Sequence, residues 1–136
     1  MATSKRTQKL LVAVVDDDES MRDTTKDLLD SVGFRATTFA SAEAFLKSPR
    51  RAKFSALIAD MRMPGMSGLA LHQRLATSGS PIPTILITAY PDDAVRVRAL
   101  EVGVYCYLAK PFAAEELLAC VGGAITAGRR SAARGA

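Results

Sequence analysis

A chain of 136 residues, 49% of them apolar and 24% charged, is sized for one globular domain and excludes a mostly disordered polymer. Its net charge of +4 is unevenly placed: Lys5, Arg6 and Lys9 precede the first apolar run, Arg129, Arg130 and Arg134 follow the last, and all 14 acids are internal. The centre is therefore net acidic, which argues against a nucleic-acid-binding core, and 1–9 and 128–136 read as basic, solubilising tails.

The elements alternate along the chain. Leu10–Val15 is an apolar run suited to a strand buried on both faces. A helix is predicted from Glu19 to about Val32, with Met21, Leu28, Leu29 and Val32 on its apolar side and Gly33 ending it. Phe34–Phe39 reads as a strand and Ser41–Lys47 as a short helix stopped before Pro49. Phe54–Ala59 is a second buried strand, ending at Asp60. Ser67–Thr77 is a helix closed by Ser78-Gly79, and Thr84–Thr88 is a strand entered through Pro81 and Pro83. Asp92 or Asp93 caps a helix running to about Val102, before Gly103. Val104–Leu108 is the last strand and Ala113–Thr126 the last helix, expected to fray or end at Gly122-Gly123 because each glycine costs about 1 kcal/mol in a helix interior. Strict alternation of strands and helices predicts an α/β fold, a parallel sheet with helices on both faces.

No apolar stretch approaches the ~20 residues of a bilayer-crossing helix. The basic N-terminus also lacks the apolar run and cleavage site of a secretory signal. Cys106 and Cys120 fit no metal-type spacing and read as small core side chains. The expected location is cytoplasmic.

Ligands of open α/β sheets bind at the carboxyl ends of the strands. Here those ends carry Asp16-Asp17-Asp18, Asp60, Thr88-Ala89 and Lys110-Pro111. Clustered carboxylates repel one another unless a cation or a proton intervenes. Few hard oxygen ligands beside an open cleft suit Mg2+. A lysine adds a positive charge for a phosphoryl group and a threonine adds a donor. A central aspartate can then act as a nucleophile that forms an acyl phosphate.

With Val15-Asp16-Asp17, the run from Asp60 to Gly68 (Asp-Met-Arg-Met-Pro-Gly-Met-Ser-Gly), Thr88-Ala89 and Lys110-Pro111-Phe112 in this order, the sequence resembles the receiver domain of bacterial two-component response regulators, the CheY-like fold. The resemblance spans about residues 9 to 127, and the receiver is placed at 10–127. It implies a doubly wound five-stranded parallel sheet, (βα)5, of strand order 2-1-3-4-5. By the resemblance Asp60 is the phosphoacceptor. Asp17 is a direct ligand of Mg2+ (or Mn2+), Asp16 acts through water, and the Arg62 carbonyl is a further ligand. Thr88 bonds the phosphoryl group, Lys110 pairs with one of its oxygens, and Tyr107 is the switch aromatic. Pro64 and Gly68 shape the loop after the acceptor. Arg62 and Tyr90, two residues beyond Asp60 and Thr88, flank the path of attacking water, and a bulky Tyr90 is expected to slow hydrolysis. Asp18 matches a variable position or caps the first helix. Met61, Met63 and Met66 are expected to pack the loop, and His72, the only histidine, to lie on a helix surface.

The implied function is that of a phosphoacceptor switch rather than a turnover enzyme. A sensor histidine kinase or phosphotransfer protein donates to Asp60, and the face of the fourth helix, fifth strand and fifth helix changes toward an output partner. No direct nucleic-acid or membrane binding is expected; a homodimer on phosphorylation stays open. An aspartate-nucleophile phosphohydrolase is disfavoured because Arg62 stands where such enzymes need a second acid. The chain reads as a single-domain regulator or phosphate shuttle. The alternatives are the receiver portion of a longer transcriptional regulator or hybrid kinase, and a phosphate-independent receiver-fold binding module. Ser41-Ala42-Glu43-Ala44-Phe45-Leu46 and Lys110-Pro111-Phe112 are spelled like receivers of the FixJ-like transcriptional group.

Overall fold

The computed structural model describes residues 9–135, with side chains to Arg129. Most of the expected basic N-terminal tail, and the side chains of Arg130 and Arg134, lie outside the described residues. In chain order the elements are β1 (Leu11–Val15), α1 (Glu19–Ser31), β2 (Arg35–Phe39), α2 (Ala42–Leu46), β3 (Ala56–Asp60), α3 (Gly68–Thr77), β4 (Thr84–Thr88), α4 (Asp93–Glu101), β5 (Cys106–Ala109) and α5 (Ala114–Gly135). All pairings are parallel, and the strand order is β2-β1-β3-β4-β5.

Alternation along the central strands sorts the core into two layers. Ala13, Val15, Leu57, Ala59 and Leu86 pack under α2, α3 and α4 with Phe45, Leu71, Leu75 and Ala99. Val12, Val14, Ile58, Ile85 and Ile87 pack under α1 and α5 with Leu29, Leu117, Val121 and Ile125. Both faces of β3 and β4 are therefore buried, as their unbroken apolar runs require. The helices start on side-chain caps: Asp18 accepts from the Met21 amide, Ser41 from Ala44, Ser67 from Ala70, and Asp92 from Ala94 and Val95. Each cap satisfies backbone donors that the first helical turn leaves free.

Four local expectations are corrected. Residue 54 does not begin β3; a 3-10 turn over Arg51–Lys53 delivers Phe54 into an aromatic cluster with Phe39 and Phe45, and the strand starts at Ala56. Val32 is 51% exposed, because α1 ends at Ser31 and the chain turns away at Val32 and Gly33. His72 is buried inside α3's inner face. The final helix does not end at Gly122-Gly123 but continues to Gly135. The reason is clearance: a Cβ at residue 123 would run into the Tyr105 hydroxyl, and one at residue 128 would lie 2.7 Å from Pro83. Glycine lets α5 lie close to the start of β5 and the entry to β4, and burial of Leu117, Val121, Ala124 and Ile125 offsets its helix penalty. Residues 128–135, expected as tail, are thus helical.

Candidate phosphoacceptor site

The sheet register assembles the site. Val15 is level with Ala59, Asp60 with Ile87, and Thr88 with Ala109, so the strands run out together at one edge. Asp16, Asp60, Thr88 and Lys110 emerge there from β1, β3, β4 and β5. Backbone bonds continue past the strands: the Met61 amide donates to the Ile87 carbonyl (2.7 Å) and the Lys110 amide to the Thr88 carbonyl (2.8 Å).

Lys110 ties the acids together. Its Nζ lies 3.5 Å from Asp60 Oδ1 and 3.7 Å from Asp16 Oδ2. Asp16 Oδ1 also accepts from the Asp18 amide at 2.9 Å, and its carbonyl accepts from Arg22 Nη1 at 2.8 Å. One ligand oxygen from each of Asp16, Asp17 and Asp60 falls within a 4.8 Å span. Asp16 and Asp60 are buried and Asp17 is exposed, so the cluster opens toward solvent through Asp17. Burial pushes the carboxyls of Asp16 and Asp60 above the usual range; for Asp60 the neighbouring Asp16 charge adds to this, and Lys110 opposes it in both. One lysine does not neutralise three carboxylates. The donor set is all oxygen, excess in negative charge and open on one side, which fits a hard divalent cation. Asp16, Asp17 and Asp60 are the carboxylates that could hold it.

The loop from Met61 to Ser67 is fixed at both ends. Gly68 is required at the start of α3, because a Cβ there would collide with the Asp60 carbonyl. Gly65 has φ +80, a left-handed turn that glycine adopts freely. Met63 is buried and Met61 and Met66 are partly buried against the α2–α3 core, as expected of loop packing. The sequence reading missed Glu43, whose Oε2 accepts from the Met66 amide at 3.2 Å and ties α2 to this loop. No short-range spacing signals a bond across 23 positions.

The remaining expected residues are placed separately. Thr88 is buried, and its Oγ1 accepts from the Tyr90 amide at 3.0 Å, leaving the hydroxyl proton for another partner. Arg62 and Tyr90 come together, the guanidinium 4.8 Å from the ring centre. Tyr107 is not among the acids; its hydroxyl accepts from the Asp92 amide at the start of α4 (3.3 Å). Arg62, Pro64, Thr88, Tyr90, Val95 and Tyr107 line a groove of about 660 Å3 between the acceptor loop and α4. Lys110-Pro111 is a cis peptide. Asp18 caps α1 and does not join the acid cluster.

This sheet with this edge defines a receiver. The model of the response regulator receiver domain matches residues 12–122, and the chain belongs to that family. It is 39% identical over 119 residues to the transcriptional regulatory protein FixJ of Bradyrhizobium diazoefficiens, a match covering 88% of this chain and 58% of FixJ. Among solved structures it is similar to the response regulator StyR (41% identity, TM-score 0.82, 93% of this chain and 65% of that one). It is also similar to the isolated FixJ-N (31% identity, TM-score 0.79, 88% and 96%). The chain thus spans little more than half the length of FixJ. No described helix is long and apolar enough to cross a membrane.

Proposed function

We propose that this receiver accepts a phosphoryl group on Asp60 from a partner's phosphohistidine, with Mg2+ held by Asp16, Asp17, Asp60 and the Arg62 carbonyl. The observation that carries the reading is the position of Lys110, within 3.7 Å of both buried carboxylates at the edge where β1, β3 and β5 end. An Asp60 oxygen attacks phosphorus, the N–P bond breaks, and the departing imidazole keeps the electron pair. Bound Mg2+ supplies charge for the phosphoryl oxygens during transfer. In this reading Lys110 pairs with one of those oxygens and leaves Asp16. Thr88 has a proton to donate and in this reading bonds another, which draws the β4–α4 loop toward the site and loosens the Tyr90 amide bond.

Tyr107 is the second moving part. Its hydroxyl braces Asp92, the cap of α4, so a shift of the β4–α4 loop removes that brace and frees the ring to turn inward. The exposed side chains Val97 and Leu100 on α4, and Tyr105 beside β5, give the α4–β5–α5 face an apolar surface for an output partner. The protein acts as a switch that is phosphorylated and slowly loses the group, not as a turnover enzyme. The names of the relatives favour a receiver whose output is transcriptional regulation, the role in FixJ's name.

Intact mass after incubation with acetyl phosphate tests the reading. The expected result is a gain of one phosphoryl group that needs Mg2+ and is lost in Asp60→Asn. Absence of any gain from either acetyl phosphate or a phosphorylated kinase, in folded protein with Mg2+, supports the phosphate-independent module instead.

A further inference from the structure

We propose that Cys106 and Cys120 form a two-electron oxidation site that closes to an intramolecular disulfide joining β5 to α5, with hydroperoxides as the class of oxidant. The two residues stand fourteen positions apart on different elements, yet their sulfurs lie 2.7 Å from each other. A disulfide bond is about 2.0 Å long, so closure requires a movement of well under 1 Å. Each sulfur is a free thiol on a half-buried residue. Both also pack against the layer that Leu108, Leu117 and Val121 fill between β5 and α5. What the pairing supplies is two thiols in contact across an interface between two elements.

The chemistry balances with one peroxide. A thiolate attacks the peroxide and becomes a sulfenic acid as water leaves; the second thiol displaces a further water to give the disulfide. Two thiols and one hydrogen peroxide yield one disulfide and two waters. Burial and the neighbouring Cys120 sulfur push the Cys106 thiol up to about 12. One sulfur is oxidised and the other resolves it, in a reaction that burial of the pair slows.

The position gives the bond a consequence. Cys106 faces the α5 layer, while its neighbour Tyr107 faces the α2–α4 layer. A disulfide there pins α5 to β5 from behind the switch aromatic and leaves Asp60 and Lys110 untouched. It therefore acts on the mobility of α5 and not on the acceptor chemistry, and does not depend on phosphorylation.

The test is peptide mapping of the full chain after hydrogen peroxide or diamide. Trypsin leaves both cysteines in one peptide, since Lys110 precedes Pro111, so cleavage after glutamate is used: Glu115 and Glu116 separate them. The expected result is a monomer whose alkylatable thiols, counted under denaturing conditions, fall from two to none, with the 102–115 peptide linked to the peptide carrying Cys120. Reduction restores both thiols. Cys106→Ser and Cys120→Ser each remove the link; the wild-type map decides alone if either variant does not fold. Chain-to-chain dimers, sulfinic acid without a cross-link, or two thiols still free after oxidant each overturn the proposal.

Discussion

The two edges of the sheet treat buried polar groups in opposite ways. At the amino end of β4, His72 and Thr84 are buried and fully matched: the imidazole lies 2.9 Å from Thr84 Oγ1 through Nδ1 and 3.0 Å from the Val102 carbonyl through Nε2. A carbonyl only accepts, so Nε2 carries a proton; the single Thr84 hydroxyl proton lies between His72 Nδ1 and the Ile82 carbonyl, which is 2.8 Å from Oγ1. That network locks α3 to β4 and to the α4–β5 turn. At the carboxyl edge, Asp16 and Asp60 are buried with like charge beside like charge, and one lysine opposes them. Closed polar networks stabilise a fold, whereas unbalanced ones store free energy that a ligand can release. The first edge is scaffold and the second is switch.

The largest expected effect breaks the scaffold edge. His72→Ala leaves a cavity and an unpaired Val102 carbonyl, while the Thr84 hydroxyl keeps the Ile82 carbonyl, and should cost about 2–4 kcal/mol in urea unfolding. A cost below about 1 kcal/mol would mean the network is not what holds α3 and the α4–β5 turn together. Tyr90→Ala sharpens the account of the switch edge. It removes the ring under Arg62 and opens the groove beside Thr88, so loss of phosphate from the phosphorylated protein should speed up several-fold. An unchanged loss rate removes Tyr90 from the account of phosphate lifetime. The smallest effect lies away from both edges. Asp30 accepts from Lys26 and from the Ala36 amide, contacts that hold its carboxyl below the usual range. Its folded-state value is lowered, so its contribution is present above the unfolded value of about 3.9 and is lost as pH falls further. Exposure limits it to a few tenths of a kcal/mol. Comparing Asp30→Asn with wild type by thermal melts at neutral pH and near pH 3 checks this: the difference should shrink at the lower pH.

The contrast between the edges also explains what the sequence made legible. Apolar runs and capping residues fixed the order of elements, and short acidic and basic motifs at predicted strand ends located Asp16, Asp17, Asp60, Thr88 and Lys110. Those signals are local. His72 was misplaced because one polar residue in an otherwise periodic helix carries no mark of the distant Thr84 and Val102 that satisfy it. Glu43 and the sulfur pair were missed for the same reason: their partners lie 23 and 14 positions away. Gly122 and Gly123 were read by propensity alone, and the close approach of Tyr105 at Gly123 overrode it.

The central claim is that the carboxyl edge is held in like-charge conflict until a divalent cation joins it. Raised folded-state values for Asp16 and Asp60 mean that their ionisation opposes folding: the cost enters as pH rises through the unfolded value near 4 and is complete above the folded ones. Thermal melts at neutral pH, with and without Mg2+, for wild type and Asp60→Asn measure it directly. The account predicts that without Mg2+ the variant melts a few degrees higher, by roughly 1 kcal/mol, and that Mg2+ raises the wild-type Tm while moving the variant much less. A variant that melts lower than wild type without Mg2+, or a wild type indifferent to Mg2+, would contradict it.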